Sequence, residues 1–86
     1  MVIKEYELQE GVNKIQVNGS GNILAAGEHN SKSCVWVEED SNETSVAEIA
    51  FLVVKTGEEV GDMGALNYLG NCVSNLNSVW HIYEML

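Results

Sequence analysis

The sequence predicts an all-β or mostly β domain: a small antiparallel sandwich or partly closed barrel of about seven short strands. Three observations carry this. Ala50-Phe51-Leu52-Val53-Val54-Lys55 is the densest apolar run, β-branched and aromatic in content and too short for a buried helix. Segments of alternating or continuous apolar character precede and follow it, separated by turn signals every ~8–12 residues. No internal repeat, low-complexity tract or boundary interrupts the 86 residues, so residues 1–86 read as a single domain with one modest core.

Val2-Ile3-Lys4-Glu5-Tyr6-Glu7-Leu8 alternates, with Tyr6 and Leu8 on one face and Glu5 and Glu7 on the other, as a half-buried strand does. Gln9-Glu10-Gly11 turns the chain, and Ile15 and Val17 mark a short second strand. Asn18-Gly19-Ser20-Gly21 is the strongest turn signal, because Asn and Gly both accept positive φ. A third strand, Ile23 to His29, is expected to return from it as the hairpin partner of the second. His29-Asn30-Ser31-Lys32 reverses the chain again into Ser33–Glu38, which is apolar at four successive positions and therefore central.

Glu38-Glu39-Asp40-Ser41-Asn42-Glu43 reads as a polar loop of solvated carboxylates, and Thr44 to Ile49 as either one helical turn capped by Thr44 or a lead-in to the Ala50–Lys55 strand. Glu58 to Gly64 is a glycine-rich acidic loop. Asn67 to Ser74 forms a sixth strand and Asn75-Leu76-Asn77 a turn. The last strand runs from Ser78 to Glu84, with Val79, His81 and Tyr83 opposite in phase to Trp80, Ile82 and Glu84. Trp36 and Phe51 are the expected core rings. Leu52 and Val54 face away from Phe51 and Val53, and a two-layer domain of this size covers one face of each sheet. A helix, a loop or a second molecule must cover them, and a homodimer is one economical answer, which makes Leu52 and Val54 candidate oligomer contacts.

Thirteen acidic residues face four lysines and no arginine, a net charge of −9. Such a surface repels phosphate backbones, which argues against direct nucleic-acid or anionic-membrane binding and favours a basic protein surface as partner. The bland alternative is simple solubility. No apolar run approaches a membrane span, and Met1-Val2-Ile3 is followed at once by Lys4-Glu5 without a signal-peptide core, so a cytoplasmic location is expected. Cys34 and Cys72 do not make a disulfide framework and read as buried free thiols, with a bridge left open.

No catalytic constellation emerges. The spacings of His29, Cys34, Cys72 and His81 oppose a zinc site, and no cofactor is implied. Asp40 to Thr44 begins like a calcium loop, but Ser45 and Phe51 stand where that loop needs glycine and a carboxylate. Cysteines in apolar strands are inert, and the Gly57–Gly64 loop carries acids where a phosphate cradle needs bare N–H groups. The domain is therefore not expected to be an enzyme. What remains is carboxylates. Glu5 and Glu7 share a strand face about 7 Å apart, twice the strand rise. Glu10 lies beyond them, and the Glu38, Glu39, Asp40, Glu43 group and the Glu58, Glu59, Asp62 group add two further clusters.

Five segments together resemble a family of short bacteriophage and prophage proteins, a domain of unknown function. They are Lys4-Glu5-Tyr6-Glu7-Leu8, Cys34-Val35-Trp36, Phe51 to Gly57, Tyr68-Leu69-Gly70 and Val79-Trp80-His81-Ile82-Tyr83-Glu84. The chain departs from that pattern in having no proline, in Lys55 where glycine is common and in Asn71 where threonine is common. The resemblance implies a mostly β fold and a phage setting, with no established activity or functional residue. Two function classes follow. The first is an acidic phage-type protein that binds and blocks a basic surface of a host protein, such as a defence effector, through the carboxylates named above. The second is an oligomeric binding protein that sequesters a nucleotide immune signal, with Tyr6, Trp36, Tyr68, Trp80 or Tyr83 stacking the base and Lys4, Lys14, Lys32 or Lys55 near the phosphates.

Overall fold

Alternating side chains along each segment produce seven strands in the computed structural model, which describes residues 1–74 and 77–86. They are β1 (Val2–Glu7), β2 (Gly11–Asn18), β3 (Asn22–His29), β4 (Lys32–Glu39), β5 (Val46–Lys55), β6 (Leu66–Val73) and β7 (Val79–Met85). Every paired neighbour is antiparallel, and the strands form two sheets, ordered β1-β4-β3 and β2-β5-β7-β6, that do not close into a barrel. There is no helix among the described residues, hence none long and apolar enough to cross a membrane. The Thr44 helical-turn alternative is not taken. The Glu43 carboxylate accepts the Thr44 and Ser45 N–H groups, and the chain enters β5 at Val46.

The core lies between the sheets. Val35 and Val37 of β4 face Phe51 and Val53 of β5 and Ile82 of β7, with Leu8 and Val17 closing the margins. Phe51, Leu52 and Val53 are all buried, as expected for the strand around which the chain is organised. Trp36 departs from expectation. It alternates out of phase with Val35 and Val37, lies half-buried on the outer face of its sheet, and donates its indole N–H to Glu5 at 3.0 Å. Trp80 is the tryptophan packed against the core.

Two connections decide how the sheets are joined. His29-Asn30-Ser31-Lys32 makes the expected hairpin, with positive φ at both Asn30 and Ser31, the geometry that matches strand twist. The Asn18–Gly21 turn is not a hairpin, contrary to the sequence reading. β2 pairs with β5 and β3 with β4, so this turn carries the chain from one sheet to the other. Gly21 is required there: its φ is +70°, and a Cβ would sit 2.8 Å from the Val17 Cγ2 atom. The turn expected at Asn75-Leu76-Asn77 falls largely on Asn75 and Leu76, outside the described residues; around it Ser74 N–H bonds the Ser78 carbonyl at 2.8 Å.

β5 and β6 run parallel with β7 between them, so residues 56–65 must return across the sheet. The inner face is filled by core, which leaves the outer face, where Thr56 shares a 2.6 Å hydrogen bond with His81. Leu52 on that face is 4% exposed within the single chain and Val54 is half-buried. Of the three possible covers, the chain itself thus supplies one for Leu52, whose burial does not require a second copy.

Candidate functional site

The ten carboxylates singled out from the sequence separate into three groups on the fold. Glu5 and Glu7 project from the outer face of β1, whose register sets them beside Trp36 and Cys34 of β4. Both are held in place. Glu5 meets His29 Nδ1 through both oxygens, at 2.8 and 2.9 Å, as well as the Trp36 indole. Glu7 lies 3.1 Å from the Lys32 ammonium. Glu10 follows in the β1–β2 connection, and with Glu7 it borders a cleft of about 290 Å³ floored by Val53, Cys72 and Trp80.

The second group gathers where β4 ends. Glu38, Glu39 and Asp40 line a cleft of about 370 Å³ together with Asn18 and the Ser20–Asn22 turn. Glu43 lies against Gly19 close by. Glu39 corrects the sequence reading of a solvated loop: β4 extends through it, its phase points inward with Val35 and Val37, and it is 2% exposed. Its carboxylate accepts hydrogen bonds from the Tyr6 hydroxyl and, at 2.7 Å, from the Asn18 N–H, while Lys4 Nζ lies 3.7 Å away. Burial alone would raise its pKa. The Tyr6 and Asn18 hydrogen bonds and the Lys4 charge outweigh that and hold it below the ordinary value. The same contact, after burial, pushes the Tyr6 phenol up to about 12. Glu39 therefore belongs to the clasp between β1, β4 and the inter-sheet turn. Glu43 is also held low, by the Ser45 N–H and hydroxyl first and then by the Thr44 N–H, but it stays exposed.

The third group, Glu58, Glu59 and Asp62, lies in the return loop. Two of these carboxylates shape it, Glu58 by accepting the Lys55 N–H at 2.8 Å and Asp62 by accepting the Gly64 N–H at 3.2 Å. Among the described residues, only Glu7 and Glu39 lie within ion-pair distance of a lysine, and Glu5 contacts the His29 ring.

The aromatic residues divide as well. Tyr6 and Trp80 pack toward the core and Trp36 lies on the outer face of the three-stranded sheet. Tyr68, Tyr83 and His81 form a cluster on the outer face of the four-stranded sheet, which sequence alternation alone did not single out. Tyr68 stands edge-on to Tyr83 at 5.1 Å and its hydroxyl bonds His81 Nδ1 at 2.8 Å, so both nitrogens of that ring are engaged. Leu69, next in the strand, packs on the core, and a β-bulge between Tyr68 and Gly70 then sets Gly70 opposite the inward Ile82. Cys34 and Cys72 are both buried free thiols. Burial first, then the nearby Glu5 and Glu7 charges, push the Cys34 thiol up. No group of three or more His, Cys, Asp or Glu side chains among the described residues is placed to hold a metal ion.

A family model described as a domain of unknown function, DUF7352, matches residues 1–86. The chain belongs to this family. No curated protein and no solved structure matches it. Membership thus extends over the whole sandwich, including the acidic β1 and the β4 end, without assigning either a role.

Proposed function

We propose that this DUF7352 domain is a non-catalytic protein-binding module that docks by its acidic surface on a basic surface of another protein. The observation that carries the reading is the distribution of charge. With a net charge of −9, most carboxylates lack a basic partner among the described residues, and Glu38 and Asp40 line the cleft at the β4 end with Glu43 nearby at Gly19. Such a field steers a basic partner and repels nucleic acid. The likeness to short phage and prophage proteins supports a target in the host cytoplasm, where a nucleic-acid-guided defence effector offers the basic groove this surface would occupy.

The nucleotide-sequestering alternative draws on the Tyr68–Tyr83–His81 cluster, in which Tyr68 is 48% exposed. It is weakened because Lys4 and Lys32 are already paired with Glu39 and Glu7. The test is to capture the partner from host lysate and then measure association rates with the purified pair. Replacing Glu38, Asp40 and Glu43 by glutamine or asparagine should slow association and flatten its salt dependence, since exposed charges are screened beyond about 8 Å at physiological ionic strength. Unchanged on-rates, or a tight complex with a nucleotide formed by the domain alone, would refute the reading.

A further inference from the structure

The two sides of the sandwich differ. On one side β3 and β6 lie against each other so closely that a Cβ on Gly70 would be 3.1 Å from the Ala26 carbonyl carbon. On the other side β1 and β2 end their sheets, and among the described residues no strand pairs with the outer edge of either.

The register shows which backbone groups of β1 are free. Leu8 N–H donates to the Ser33 carbonyl at 2.8 Å, and Leu8 and Ser33 continue the register that pairs Glu7 with Cys34 and Tyr6 with Val35. In an antiparallel ladder, hydrogen-bonded pairs alternate with unbonded ones. Val2, Lys4 and Tyr6 therefore bond to β4, while Ile3, Glu5 and Glu7 turn their N–H and C=O groups outward. The same three residues carry their side chains on the outer face. Ile3 is 57% exposed, and the Glu5 and Glu7 side chains are 38% and 45% exposed. His29, Trp36 and Lys32 hold those carboxylates from the β4 side, and a carboxylate has about four acceptor sites, so each can take a further donor.

We propose that the outer edge of β1 receives an extended strand of the partner, added antiparallel, with basic residues opposite Glu7 and Glu5 and an apolar residue opposite Ile3. The partner segment then reads basic-x-basic-x-apolar. This rests on the proposed basic partner and specifies how it docks. A second copy of the chain does not fit. Residues directly opposite share a face, so two β1 strands about a two-fold axis would set Glu5 and Glu7 against the same acids or Ile3, and like charges opposite are destabilising. The β2 edge fits less well. Its outward side chains, Val12, Lys14 and Gln16, include no carboxylate, and Asn13 occupies the Gln9 N–H and the Gln9 and Gly11 carbonyls with its own amide.

The probe is a capped peptide, Lys-Thr-Lys-Thr-Val-Thr, titrated into the isotope-labelled protein, with amide hydrogen exchange as the readout. Exchange at Ile3, Glu5 and Glu7 should slow by about tenfold or more at saturation, with Lys4, Tyr6 and Leu8 unchanged because they are already bonded. N-methylating the two peptide lysine nitrogens keeps the charge but removes the donors, and should weaken binding by about tenfold. Ile3→Pro removes one outward N–H without touching the β4 ladder or the charge and should also weaken binding. Absence of binding, or binding without protection at β1, overturns the proposal. So does an unchanged affinity for the N-methylated peptide. If such binding is still lost at high salt or on neutralising Glu38, Asp40 and Glu43, the electrostatic reading stands while strand addition falls. Equal protection by a peptide with serines in place of the lysines would instead overturn the basic-partner reading beneath it.

Discussion

The buried Glu39 offers the sharpest test of how this sandwich is held. In Glu39→Ala the Asn18 N–H and the Tyr6 hydroxyl lose their acceptor in a site where the residue itself is 2% exposed. Each stranded donor costs about 1–3 kcal/mol. Lys4 is 45% exposed, so its pairing with Glu39 adds at most about 1 kcal/mol. Relief of the carboxylate's own desolvation offsets part of this. The expected loss is about 2–4 kcal/mol, large against the roughly 4–13 kcal/mol that a domain of this length commands.

Glu39→Gln keeps an acceptor and the shape, and should lose about 1–2 kcal/mol at pH 7. The folded pKa of Glu39 is depressed, so its charge-dependent stabilisation is complete above the ordinary value of 4.5 and is lost as pH falls through the lower folded value. Urea melts of wild type and both variants between pH 7 and acid conditions measure this. The gap between wild type and Glu39→Gln should close on acidification. A loss below about 1 kcal/mol for Glu39→Ala, or a gap independent of pH, would refute the inter-sheet clasp.

Four further outcomes are expected. Tyr6, pushed up to about 12, should ionise well above an ordinary tyrosine in ultraviolet titration, and its contribution, complete below the unfolded value near 10, should vanish as pH rises through the folded one. Phe51→Ala should cost about 3–5 kcal/mol in urea melts, whereas Trp36→Ala, half-buried on the outer face, should cost clearly less. Gly70→Ala should destabilise markedly in the same melts, because the new methyl meets the Ala26 carbonyl across the β3–β6 contact. Cys34 and Cys72 should both react with a thiol reagent at a rate set by unfolding, and a native mass spectrum showing a bridge would contradict the free pair.

Features that depend on near neighbours were legible along the chain. The period of two placed Tyr6 and Leu8 against Glu5 and Glu7, set Ile82 opposite in phase to Tyr83 without saying which faces inward, and marked Phe51 to Val53 as the covered strand. The positive-φ pair Asn30 and Ser31 specified the β3–β4 hairpin locally.

Features that depend on distant segments emerged with the packed fold. Asn18 to Gly21 has the chemistry of a hairpin turn, but whether β2 pairs with β3 or passes to the other sheet depends on β4 and β5, which compete for those edges from elsewhere in the chain. Glu39 lay within a run of acids that looked like a loop. Its burial became affordable only where Tyr6 and Asn18 arrived from two other strands to satisfy it. Trp36 was apolar enough for a core, yet the β4 phase reserved the interior for its two valine neighbours and left the indole beside Glu5. In each case the deciding energy is a contact between residues far apart in sequence, and no local pattern encodes which of several chemically acceptable partners will be the one in reach.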